Sequence, residues 1–228
     1  MTDEINVAAN LETVLDQIRQ AEMVANRAPG STRLIAVSKT QPAEAIRPAL
    51  DAGHQLFGEN RVQEAEAKWP DLKRDYPHAV LHLIGPLQTN KVKQAVALFD
   101  VIQTVDRLKL AKAIAAEIEK SGKQIKCFIE INVGEEAQKA GIAPHDADAF
   151  ITTCRDDLAL PIVGLMCIPP AADEPAPYFA LLAKIAARNG LAEISMGMSA
   201  DYETAIDFDA SYVRVGTAIF GPRRPRSE

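Results

Sequence analysis

The chain has 228 residues, 47% hydrophobic, 25% charged and 5% aromatic, the profile of a globular protein long enough to bury a sizeable core without a disulfide or structural metal. Its 25 basic against 31 acidic residues leave a net charge of -6 spread along the sequence, which removes the basic footprint that nucleic-acid binding requires. No apolar window of about 20 residues is present, the first ten residues, MTDEINVAAN, carry acids where a signal peptide is positively charged, and Cys127, Cys154 and Cys167 form no CxxC pair. These features predict a cytoplasmic protein that neither spans a membrane nor binds nucleic acid.

An opening helix is expected first, from Leu11, Val14, Leu15 and Ile18 at helical spacing. Eight short apolar runs follow, at 33–38, 54–57, 80–84, 101–104, 126–133, 161–166, 193–196 and 212–215. Their continuous rather than alternating apolar character fits strands covered on both faces, hence a parallel sheet. Among the intervening helices the clearest is 106–120, with Leu110, Ala111, Ile114, Ala115 and Ile118 on one stripe and Asp106 as its expected N-cap. Pro42 suits a first helical turn, and Gly53 and Gly122 suit helix ends. Strand-plus-helix units of about 25 residues, repeated eight times, are the arithmetic of a (β/α)8 TIM barrel. The predicted architecture is therefore α/β, one barrel domain over residues 1–228 with an extra N-terminal helix; an open doubly wound sheet is the alternative.

In such a barrel the functional residues lie at the C-terminal ends of the strands and in the loops that follow. Lys39 directly follows the apolar run LIAVS, and burial of an amine at such a place favours the neutral, nucleophilic form used in Schiff-base chemistry. A lysine there can equally snorkel to the barrel rim. The turn Gly58-Glu59-Asn60-Arg61 places a carboxylate and an amide over the predicted mouth, although Asn60 is also suited to cap the next helix. His82 interrupts an apolar strand, with Gln88, Asn90 and Lys91 behind it; a single histidine there is ordinarily a hydrogen-bonded core residue. His54, His78, His82 and His145 have no metal-ligand spacing. Ser199, in the run SMGMS, and Arg214, Gly216 and Thr217, in RVGTAIFG, follow the last two strands, where barrels often bind phosphate. Ser199 could instead be a helix cap, and Asp201 and Glu203 must face away from any anion. No GxGxxG, Walker loop or GxSxG occurs.

Taken together, AVSKT at 36–40, FGENRVQE at 57–64, HLIGPLQTNK at 82–91, SMGMSADYETAI at 195–206 and VRVGTAIFG at 213–221 closely resemble the YggS/PROSC family of pyridoxal phosphate homeostasis proteins, in the family's order from about residue 10 to 222. The resemblance implies a barrel like the alanine racemase N-terminal domain, with Lys39 carrying pyridoxal 5′-phosphate (PLP) as an internal aldimine. It implies that Arg214 faces the pyridine nitrogen, that Gly216, Thr217 and Ser199 hold the phosphate, and that Asn60 and His82 line the pocket. Leu81, Leu83, Arg61 and the pair Asp209-Ala210 depart from the family's usual residues, the first three at expected pocket walls. The implied role is to hold PLP and deliver it to PLP-accepting apoenzymes, as a monomer or weak homodimer, without catalytic turnover. A racemase takes its second base from an additional C-terminal domain, and none is expected where the chain ends seven residues after Gly221. Three other readings stay open: a PLP-dependent racemase using Tyr178 or Tyr202 as second base, a cofactor-free Schiff-base aldolase, and an interaction module with the basic tail Arg223, Arg224 and Arg226.

Overall fold

In the computed structural model, which describes residues 5–222, the chain opens with helix α1 (Val7–Val24). The Asn6 side chain caps it by accepting from the Ala9 N–H at 3.1 Å, and Val7, Leu11, Val14 and Ile18 form its buried stripe. Buried Glu22 then staples the connection to the sheet, accepting from the Gly30 N–H (2.8 Å) and the Thr32 N–H (2.6 Å). The helix extends past the 11–18 stripe at both ends.

Eight strands follow: β1 (Arg33–Val37), β2 (Leu56–Glu59), β3 (Val80–Leu83), β4 (Val101–Val105), β5 (Lys126–Glu130), β6 (Ile162–Met166), β7 (Glu193–Met198) and β8 (Tyr212–Val215). Each pairs in parallel with the next, and β8 returns to β1 in the register Leu34↔Val213 and Ile35↔Arg214. That last pairing closes the barrel and disposes of the open-sheet alternative. Ile35, Val101, Phe128, Met166 and Tyr212 pack inside the barrel, whereas the larger apolar core lies between the sheet and the surrounding helices. The second strand starts at Leu56 and runs to Glu59, two residues past the expected end, because Gly58 and Glu59 are poor strand formers by composition yet are fully covered here.

The outer layer comprises α2 (Ala43–Asp51), α3 (Val62–Glu66), α4 (Trp69–Asp75), α5 (Val92–Leu98), α6 (Leu108–Ser121), α7 (Ala147–Thr152), α8 (Ala176–Arg188), α9 (Tyr202–Asp207) and α10 (Thr217–Phe220). Asp106 is not the cap of α6: the helix starts two residues later, with Arg107 at the N-cap position, and the Asp106 carboxylate pairs with the Arg107 side chain instead. Gly122 ends α6 at φ +67°, a conformation that costs glycine nothing.

Candidate functional site

At the C-terminal end of the barrel one pocket collects Lys39, Asn60, Ser199, Arg214, Gly216 and Thr217, six of the seven residues singled out from sequence. They arrive from four different strands. Lys39 stands two residues beyond β1 and is half-buried; Asn60 follows β2, Ser199 follows β7, and Arg214 to Thr217 span the end of β8. Val37, Ile84, Ile168 and Met198 supply apolar walls. Two glycines let the backbone close around the space. A Cβ on Gly216 would lie 3.0 Å from the Val37 carbonyl oxygen, and one on Gly197, at φ +86°, would lie 2.6 Å from the Ala205 Cβ. Ser199 is not a helix cap, since Asp201 occupies that position before α9 and its carboxylate accepts from the Met198 N–H at 2.6 Å. Asn60 is not a cap either: Arg61 precedes α3, and the Asn60 Oδ1 is buried without a hydrogen bond.

Arg214 is only 4% exposed and is held from two sides. One terminal nitrogen donates to the Ser195 Oγ at 2.7 Å and the other to the Cys167 carbonyl at 2.8 Å. The Ser195 hydroxyl in turn donates to the Gln103 Oε1 at 2.7 Å, and the Gln103 Nε2 lies 2.9 Å from the His82 Nδ1. An amide nitrogen can only donate, so the His82 Nδ1 accepts and its proton sits on Nε2. Sequence spacing did not indicate this chain from Arg214 through Ser195 and Gln103 to His82. Nearby, burial first and the Asp106 carboxylate second push Glu130 up to about 7, with Arg214 opposing. Glu130 is the last residue of β5, but it lies inside the apolar run 126–133, so a rule that looks only at run ends passes over it.

His82 is the residue whose expected place needs correction. Strand alternation puts residues 82 and 84 on the same inner face, and Ile84, nearer the C-terminal end, takes the pocket position. His82 stays in the barrel interior, 1% exposed, with its ring 5.6 Å from that of Tyr212. Leu81 and Leu83 face the helical layer and form no pocket wall. Glu59, expected over the mouth, points the other way and is fully buried against Ser38 and Trp69. Arg61, Gln88 and Lys91 line a neighbouring groove that shares Asn60 with the pocket. Tyr178 donates to Asp173 at 2.6 Å and Tyr202 to Gln17 at 2.9 Å, and neither lines the pocket. The basic tail at 223–228 lies outside the described residues.

Burial lowers the His82 pKa to about 3, with Arg33 and Lys126 adding to the effect. The folded chain therefore keeps His82 neutral between about pH 6.5 and 3, while the unfolded chain binds a proton there, so this residue costs stability as the pH falls through that window. Each unit costs at most about 1.4 kcal/mol. Wild type should lose roughly 2 kcal/mol relative to His82→Phe between pH 7 and 5. Urea unfolding of both proteins at the two pH values checks this, and a difference that does not move with pH would refute it.

The closed parallel barrel, with its pocket at the strand ends, defines a barrel of the alanine racemase N-terminal-domain class, and that family matches residues 8–224. A pyridoxal phosphate homeostasis protein of Pseudomonas aeruginosa is 39% identical over 222 residues, covering 95% of this chain and 96% of its own length. The chain belongs to the family of pyridoxal phosphate homeostasis proteins. The solved structure of PipY from Synechococcus elongatus without PLP, 36% identical, superposes with a TM-score of 0.84 over 94% of this chain and all of PipY. The PipY structure with PLP bound superposes with a TM-score of 0.81, over the same shares of the two chains.

Proposed function

We propose that this protein holds PLP at the mouth of its barrel, attached through Lys39, and hands it to other proteins without turning over a substrate of its own. The observation that carries this reading is the composition of one pocket: a lysine at the end of β1, a buried arginine, two hydroxyls and a glycine where the backbone must approach closely. The residues fit the group. Ser199, Thr217 and the Gly216 N–H would hold the phosphate, Arg214 would face the ring nitrogen, and the buried Asn60 Oδ1, without a partner in the protein, offers a further polar contact. When bound, PLP supplies an aldehyde that condenses with a primary amine and a dianionic phosphate that anchors it.

The protein's own contribution is retention and restraint. Ser195 and the Cys167 carbonyl fix the Arg214 guanidinium, and a fixed positive charge disfavours a proton on a facing nitrogen. That weakens the electron sink on which amino-acid chemistry depends. The positions of Tyr178 and Tyr202 away from the pocket support the same reading, since a racemase needs a second base across from its lysine. Among the described residues no helix is long and apolar enough to cross a membrane, and the free, buried Cys127, Cys154 and Cys167, with thiols pushed up to about 12 by burial, favour a reducing cytoplasm.

An absorption spectrum of the purified protein before and after borohydride treatment tests the binding. A band in the visible or near-ultraviolet that reduction removes is expected, and its absence after incubation with PLP would end the proposal. A panel of D- and L-amino acids is expected to give no sustained racemisation, decarboxylation or transamination. Multiple turnovers on any of them would favour a PLP enzyme instead.

A further inference from the structure

The turn that carries Lys39 is held from behind by a buried ionic cluster. Its origin lies in Pro70, which has no N–H to donate and whose ring clashes with the carbonyl four residues earlier, so the helical segment after β2 breaks between Glu66 and Trp69. Lys68, at the break, turns inward, with its side chain only 8% exposed. The Lys68 Nζ donates to the Ser38 carbonyl at 2.9 Å and to the Gln41 carbonyl at 2.8 Å, bracketing Lys39 and Thr40. It also lies 2.9 Å from the Glu59 Oε1 and 3.2 Å from the Glu64 Oε1. Glu59 accepts from the Ser38 hydroxyl (2.5 Å) and the Trp69 Nε1 (3.0 Å), and Glu64 accepts from the Thr40 N–H. Thr40, next to Lys39, sits at φ +63°, a conformation that β-branched residues rarely adopt and that persists only where surrounding bonds impose it.

A buried ion pair gives little stability over apolar residues of the same volume. What this one supplies is geometry: three of the residues around Lys39 are tied to a single ammonium and its two carboxylates. We propose that Lys68, held by Glu59 and Glu64, is a positioning residue for the attachment reaction of Lys39, fixing the turn 38–41 so that the amine is presented to the pocket. The inference rests on Lys39 being the attachment point. Lys68 does not itself line the pocket and meets its wall only behind the turn 38–41, at the Gln41 carbonyl, away from Ser199, Gly216 and Thr217, so its removal should slow attachment while sparing the phosphate contacts. Misplacement of a reacting group by about 1 Å can cost on the order of a hundredfold in rate.

The test uses Lys68→Met in the full chain with two readouts. The first is the rate at which PLP becomes reducible onto the Lys39 peptide, followed by quenching aliquots with borohydride and mass spectrometry. The second is the affinity for pyridoxine 5′-phosphate, which keeps the ring and phosphate but has an alcohol in place of the aldehyde. Attachment is expected to slow at least about tenfold, with the analogue's Kd changed less than about twofold. An unchanged attachment rate in the folded variant, or an affinity for the analogue that falls in parallel with the rate, would overturn the inference. If Lys68→Met does not fold, Glu64→Gln retains the Lys68–Glu59 pair and both backbone bonds of Lys68 while weakening the contacts of residue 64 to Lys68 and to the Thr40 N–H. Attachment should then slow about threefold, with faster amide exchange at Thr40, and an unchanged rate again overturns the idea. Failure of the wild-type chain to bind either PLP or the analogue would instead sink the proposed function, and this inference with it.

Discussion

Lys39→Ala is expected to abolish borohydride-stable incorporation of PLP while leaving the protein folded and still able to retain the ligand noncovalently. The side chain is half-buried at the pocket wall rather than in the core, so its truncation removes little packing, and Arg214, Ser199, Gly216 and Thr217 remain in place. Other lysines are badly situated to replace it. Lys126 begins β5, at the opposite end of the barrel. Lys68 is enclosed by the Ser38 and Gln41 carbonyls and two carboxylates. Lys91 lines the adjacent groove rather than the pocket. Peptide mapping of the reduced wild-type protein should therefore find the adduct on the Lys39 peptide alone. An adduct on Lys91 or Lys126 with Lys39 unmodified would show that attachment occurs elsewhere.

The barrel was legible because each buried parallel strand leaves a continuous run of apolar residues, and eight runs separated by helical periods leave few other architectures. Lys39, Ser199 and the 214–217 segment were legible for a related reason: they lie at or just beyond the C-terminal ends of such runs, where a parallel barrel opens its mouth. Direction within a strand was harder to read. Residues 82 and 84 share a face, and spacing alone does not tell which of them reaches the rim: the sequence points to His82, whereas Ile84 holds the pocket position. For Glu59 the difference is a single step of strand alternation, which sends Gly58 inward and the carboxylate outward toward Trp69. The partners of the site residues were hidden for another reason. Ser195 and Gln103 are 92 residues apart and Lys68 and Ser38 are 30 apart, and a lysine in a charged stretch such as AEAKWPDLK reads as a solvated surface residue. Only the break before Pro70 marked it, and a proline signals a break without saying which neighbouring side chain turns inward.

Removal of the Ser199 and Thr217 hydroxyls together should cost orders of magnitude in PLP affinity, because these groups and the Gly216 N–H must supply the donors that a phosphate dianion requires. Each charge-assisted hydrogen bond is worth roughly 1.5 to 3 kcal/mol. Ser199→Ala alone should weaken PLP retention about tenfold, on the order of 1.4 kcal/mol, since a solvent-exposed hydroxyl is partly replaced by water. Gly216→Ala should act through shape rather than charge. Its new Cβ would lie 3.0 Å from the Val37 carbonyl and 3.2 Å from the Val37 Cβ, so the end of β8 must shift away from β1 and carry the adjacent N–H groups with it. Pyridoxal, with the same ring and aldehyde but no phosphate, should compete poorly against PLP even though it can react with the same amine. Equilibrium dialysis of PLP and pyridoxal against wild type, Ser199→Ala, Gly216→Ala and the Ser199→Ala/Thr217→Ala double variant separates these effects. Equal affinity for pyridoxal and PLP, or full PLP retention by the double variant, would place the phosphate site away from the ends of β7 and β8.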